Sequence, residues 1–147
     1  MTAKEYLRQY YHADRIAKRL RAEYEKELLQ IDAVKSVSDL DGMPHGSGIN
    51  KSVEDKAIKL ADKAAAWKVA ELEAIHLRQE VFDMIWDIPG LEGDILVARY
   101  IDLMTWKDVC KEIKFSWPAV RNHHAKALEI VQERLDQKKQ QQVTSEM

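Results

Sequence analysis

From Ala3 to Val34 the apolar and aromatic residues recur in alternating steps of three and four: Ala3, Tyr6, Tyr10, Ala13, Ala17, Leu20, Tyr24, Ile31 and Val34, with Glu27 the one interruption. This is the a/d seam of a coiled coil. It predicts one long helix of roughly 32 residues, a rod of about 48 Å at 1.5 Å rise per residue.

A second rod follows. The stretch 36-SVSDLDGMPHGSGINKS-52 holds three of the chain's five Gly, Pro44 and several Ser, Asp and Asn residues. That is the composition of a flexible loop. Ser52, with Glu54 and Asp55 behind it, suits a helix N-terminus, the acids facing the positive end of the dipole. The helix should run to about Asp87, where Ile88-Pro89-Gly90 stops it. Matched rods joined by the loop at 36–52 predict an antiparallel helical hairpin over 1–89. The second rod carries two apolar stripes. One is Val53, Ala57, Leu60, Ala64, Trp67, Ala74, Val81 and Ile85, and the other, offset around the helix, is Ile58, Ala61, Ala65, Leu72, Ile75, Phe82 and Trp86. One partner helix cannot cover both, so the C-terminal part or a second copy of the chain is expected on the remainder, with a homodimer through the hairpin as the favoured assembly.

Composition narrows the partners. The 147 residues carry 23 Lys and Arg against 25 Asp and Glu, a formal net charge of -2, so any basic footprint for nucleic acid must be local. The single Cys110 cannot form an intramolecular disulfide, and Lys4, Glu5 and Arg8 stand where a secretory signal needs an apolar run. The best apolar stretch, around Ile95 to Met104, is broken by Arg99 and Asp102. A soluble cytoplasmic protein with no membrane contact is expected.

The remainder reads as a small all-helical module over 90–135. After Gly93, a third helix is predicted from Asp94, as its cap, to Ile101. Thr105, with Asp108 three positions on, marks a short helix over Trp106 to Glu112, and Ser116 caps another. The joint Ile113-Lys114-Phe115 leaves too little chain for side-by-side packing, so the two helices should cross steeply, as in a helix-turn-helix. Taking Val120 as inward at 100° per residue, His124, Ala127 and Val131 share its face, with Trp117 and His123 at the flanks. Pro118, Asn122 and Ala125 lie opposite, between Arg121 and Lys126. Arginine pairs with guanine and asparagine with adenine in the major groove, and the small Ala125 permits close approach. Between Thr105 and Leu128 five basic residues (Lys107, Lys111, Lys114, Arg121, Lys126) face two acids (Asp108, Glu112), a local balance of +3. Phosphate attraction of this kind supplies much of the affinity for DNA. From 136 to 147 the Gln- and Lys-rich tail has little to bury and is expected to be disordered.

Trp106 and Trp117 open their helices and are read as core fillers, Trp117 being also counted among the DNA contacts. His124, on the inward face, is expected to be hydrogen-bonded in the core. Cys110 with His123 and His124 falls short of the four ligands of a structural zinc site, so no metal or cofactor is expected. No phosphate loop, paired metal-binding His or nucleophile elbow supports an enzyme.

The run 99-RYIDLMTWKDVCKEIKFSWPAVRNHHAKAL-128 also resembles the C-terminal part of ArpU-like phage transcriptional regulators, whose helix-turn-helix is similar to the fourth region of bacterial sigma factors. Residues 2-TAKEYLRQY-10 and 43-MPHGSG-48 resemble the opening and linker of the same proteins. The resemblance implies a regulator of phage or prophage late genes in a bacterial cell. The helix from Ser116 would read double-stranded DNA, and the hairpin would dimerise or dock on RNA polymerase. Two residues depart from the pattern. Lys114 stands where relatives usually have Gly, at a cost of about 1 kcal/mol if that position is left-handed. Pro118 stands where they often have a polar or basic residue, and it has no N–H to give a phosphate. A phage assembly or DNA-packaging subunit, and a helical adaptor that binds no DNA, remain open as other readings.

Overall fold

The computed structural model describes the backbone of residues 1–41 and 47–146, and the side chains of residues 1–32 and 52–146. All regular structure among the described residues is helical: α1 (Ala3–Leu7), α2 (Gln9–Asp41), α3 (Ser47–Ile85), α4 (Gly90–Leu96), α5 (Trp106–Ile113) and α6 (Trp117–Ser145). A π-helical turn, Val97–Ile101, continues α4. No described helix is long and apolar enough to cross a membrane.

Several boundaries differ from expectation. The first rod breaks at Arg8, between α1 and α2. Helix covers positions 36–41 and 47–52 of the expected loop, so Ser52 lies inside α3 instead of capping it; residues 42–46 of that loop lie outside the described residues. The third helix opens at Gly90 after Pro89, and Asp94 is internal to it. The tail expected to be disordered from 136 is helical to Ser145 while its described side chains are exposed. Its Gln and Lys residues are good helix formers, and they extend a helix already nucleated by the packed turns before them.

By its internal contacts the chain divides into two compact units, Ala13–Ala74, and Met1–His12 with Ile75–Met147. The division therefore does not fall at 89/90, because the first twelve residues pack with the C-terminal part.

In the Ala13–Ala74 unit, Tyr24 stacks on Trp67 with ring centroids 5.6 Å apart, and Arg21 lies 5.5 Å from the Trp67 ring. Lys63 Nζ reaches Glu27 at 3.3 Å and Glu23 at 3.8 Å. Ala17 and Ala70 are buried, and Leu60, Ala64 and Trp67 are half-buried. The second stripe of α3 is not covered: Ile58 is 62% and Leu72 67% exposed, beside Val69 at 65%.

In the other unit, α1 begins with a capping box, Thr2 Oγ1 accepting from the Glu5 N–H and Glu5 accepting from the Thr2 N–H. Its buried Ala3 and Leu7 join Val81, Ile85, Leu96, Tyr100, Ala127 and Val131 in one core. The Ala3 N–H donates to Gln132 Oε1 at 2.9 Å. A second core gathers Ile95, Ala98, Val109 and Val120. α4 and its π turn feed both, Leu96 and Tyr100 entering the first and Ile95 and Ala98 the second. The segment approaches its neighbours closely at Gly93, where a Cβ would stand 1.9 Å from the Ile88 carbonyl oxygen. Only glycine fits there.

Candidate nucleic-acid interface

Two helices and the turn between them carry every residue singled out for DNA contact. Thr105 caps α5, its Oγ1 accepting from the Asp108 N–H at 3.2 Å. The helix ends where Lys114 takes φ 62 and ψ 38, and the Lys114 N–H closes it on the Cys110 carbonyl at 2.9 Å. A left-handed residue at this point is the usual stop, normally filled by Gly. Phe115 and Ser116 follow, and α6 opens with Trp117 and Pro118. Pro in the first turn removes an N–H that has no intrahelical acceptor. Ser116 occupies the N-cap, but its hydroxyl accepts no capping hydrogen bond.

One face of α6 is anchored. Val120, Ala127 and Val131 are fully buried, as the 100° projection requires. His124 shares that face and is bonded through Nε2 to Tyr100 Oη at 2.9 Å, with the rings stacked at 5.9 Å. Burial, with Lys4 and Arg99 adding to it, lowers the His124 pKa to about 4, and burial raises that of Tyr100. A neutral imidazole meets the protonated phenol either by accepting at Nε2 or by donating from it, according to its tautomer. At the flank, His123 Nδ1 lies 3.0 Å from Glu92 Oε1, and this hydrogen bond is the main cause that lowers the Glu92 pKa. Farther along, Arg134 binds both the Met84 carbonyl and the Asp87 carboxylate.

The other face is open. Trp117, Pro118, Arg121, Asn122, Ala125 and Lys126 on α6 are exposed, as are Lys107 and Lys111 on α5 and Lys114 in the turn. Among the described residues no ion pair engages any of the five cations. Each of the nine residues is thus open to solvent. Trp117 does not fill the core: it is 45% exposed and meets the half-buried Trp106 edge-on, with ring centroids 5.3 Å apart. Phe115, also exposed, lies edge-on to His123.

The supports of this face were not singled out in the sequence. Arg99 lies over the Trp106 ring at 4.7 Å and donates from Nη1 to the Met104 carbonyl at 2.7 Å, pinning the start of α5 to the π turn. An arginine within an apolar run was the available signal, but spacing alone does not say which aromatic it meets. Among the described residues no group of His, Cys, Asp or Glu could hold a metal ion.

The chain matches no protein-family model, no curated protein and no solved structure.

Proposed function

We propose that the chain is a sequence-specific DNA-binding transcriptional regulator of phage or prophage origin that acts on late genes. In this reading α5, the turn at Lys114 and α6 form a helix-turn-helix resembling the fourth region of sigma factors, and α6 is the recognition helix. Arg121, Asn122, Pro118 and Ala125 face the bases, Trp117 is a further contact at the start of the helix, and Lys107, Lys111, Lys114 and Lys126 meet phosphates. The observation that carries the proposal is the pairing of a buried Val120–Ala127–Val131 face with exposed Arg121, Asn122 and cations that, among the described residues, are in no ion pair.

α2 and α3 form the hairpin of this reading. Lys63 meets Glu27 while Trp67 meets Tyr24, so pairing partners descend on α2 as they ascend on α3, which supports an antiparallel run. The hairpin dimerises the protein through the exposed Ile58–Leu72 face or docks it on RNA polymerase.

Immunoprecipitation of the protein from cells carrying its native genome, with sequencing of the bound DNA, tests the reading. Sharp enrichment upstream of a gene block is the expected result. On the site so found, Arg121→Ala should weaken specific binding by about 1 to 3 kcal/mol. Absence of enrichment with folded, expressed protein returns the hairpin to the role of a helical adaptor. The uncovered α3 stripe favours that second reading, or a DNA-packaging subunit, and a ring-sized mass in solution would mark the latter.

A further inference from the structure

We propose that a cavity of about 280 Å³ in the Met1–His12 and Ile75–Met147 unit, into which Lys4, Arg8 and Arg99 converge, binds a small phosphate-bearing anion. None of the three belongs to the face assigned to DNA, and no acidic side chain lines the cavity. Among the described residues none of them is in an ion pair. Like charges gathered without a counter-charge repel one another, and a bound anion reverses the sign of that interaction.

The two arginines are held in place by contacts that consume little of their donor capacity. Arg99 spends one N–H on the Met104 carbonyl and rests on Trp106, which leaves the rest of its guanidinium fork free. Arg8 lies 5.9 Å from the Tyr11 ring centroid, and Tyr11 also lines the cavity. Thr105 and Trp106, at the start of α5, form another part of the wall, where the helix dipole adds positive potential. Leu103, in the wall as well, holds a left-handed φ of 55, a conformation that costs a branched residue energy and recurs where a binding site dictates the backbone.

Three cations match a dianion better than a carboxylate, and a phosphate monoester carries nearly two charges at neutral pH. Two guanidinium groups suit its oxygens bidentately, with the Lys4 ammonium as a point charge. The volume lies near the lower end of small-molecule sites, about 300 to 1,000 Å³, enough for a phosphate on a small organic group.

His124 supplies the readout from behind the wall. Its ring is bonded to Tyr100 and meets Trp106 edge-on at 4.7 Å, both wall residues, and it feels the charges of Lys4 and Arg99. In the full-length protein at about pH 8, where a phosphate monoester is a dianion, the His124 imidazole resonances are followed by NMR through a titration with inorganic phosphate, then phenyl phosphate, against chloride at equal ionic strength. The expected result is a saturable shift of those resonances with either phosphate. Arg8→Gln and Lys4→Gln should each weaken that response by about tenfold, the worth of one charge-assisted hydrogen bond, while Arg121→Ala leaves it unchanged. Resonances that stay put, or that move equally with chloride, overturn the site. A response to duplex DNA but to neither free phosphate, abolished by Arg8→Gln, overturns the small ligand and gives the cations to a backbone phosphodiester. Failure of the DNA reading itself shows at Arg121 and leaves the phosphate titration intact.

Discussion

Lys114 carries a clear local penalty. At φ 62 its Cβ crowds the backbone in the region that only glycine enters freely, yet the turn between α5 and α6 demands that conformation. Lys114→Gly should therefore raise stability by about 0.5 to 1 kcal/mol in urea unfolding, the relief of strain exceeding the added entropy of the unfolded chain. If Lys114 also meets a phosphate, the same variant loses DNA affinity as it gains stability, which separates the two roles of one side chain. His124 makes a second prediction. Its pKa falls from an ordinary 6.5 to about 4 through burial first, then Lys4 and Arg99. Between these values the unfolded chain holds a proton on this residue that the folded chain does not, so unfolding takes one up. Stability from the neutral imidazole is fully present above pH 6.5 and is lost as pH falls towards 4. His124→Gln, which keeps a polar group near Tyr100, should flatten the stability profile across that window. An unchanged slope would show that another group governs it. The direction of the His124 side chain was legible, since it follows from its spacing to Val120 and Ala127. Its partner was not, because Tyr100 lies 24 residues away and nothing local ties the two together.

At the level of elements, the short helix α1 has a larger role than its five residues suggest. Leu7 is fully buried in the core with Val81, Ile85 and Val131, yet the three-and-four spacing passes over it, because the seam runs through Tyr6 and Tyr10. The helix break at Arg8 resets the phase, and a break of that kind has no signature in residues as helix-compatible as 7-LRQY-10. Leu7→Ala should cost about 2 to 5 kcal/mol in denaturant unfolding, the range for emptying a close-packed leucine site. Deleting residues 137–147 should change stability by less than about 0.5 kcal/mol, since Leu135 is the last buried side chain of α6. The same contrast explains which boundaries were legible. Thr105 announces the start of α5 by a side chain that caps neighbouring backbone. The extension of α6 to Ser145 is settled by propagation from a packed helix, which composition read as weakness. Asp94 had the right residue type for a cap, but Pro89 and Gly90 redirect the chain four residues earlier, and Gly93 must already be helical to meet Ile88.

For the whole molecule, the exposed Ile58–Leu72 stripe of α3 bears on assembly as the exposed α6 face bears on the proposed DNA contact. Ile58, Ala61, Ala65 and Leu72 stand at steps of three, four and seven, with Lys68 in the same row, so the stripe has the register of a helix seam and one charged interruption. All four are exposed, and Val69 widens the strip. The two stripes were legible from the sequence, and so was the insufficiency of a single partner helix. Which stripe would be left open was not, because that depends on the rotation of α3 against the Tyr24 ring and the Glu27 carboxylate. The first-stripe residues Leu60, Ala64 and Trp67 are partly covered, whereas Ile58, Ala61, Ala65 and Leu72 of the second stripe are left to water. Covering it with a second copy buries Ile58 and Leu72 at a gain of roughly 1.5 to 3 kcal/mol for each side chain, while Lys68 keeps its ammonium at the rim. Sedimentation equilibrium should then give a mass of two chains for the native protein and of one for Ile58→Ser/Leu72→Ser, with the helical circular dichroism signal of each chain retained. In the regulator reading, the same double variant should halve the protected length of the operator and weaken binding without altering which bases Arg121 prefers, since two recognition helices held together read two half-sites. A native protein that sediments as a single chain at concentrations well above those needed for DNA binding would remove the second copy from this face and leave it to a different partner.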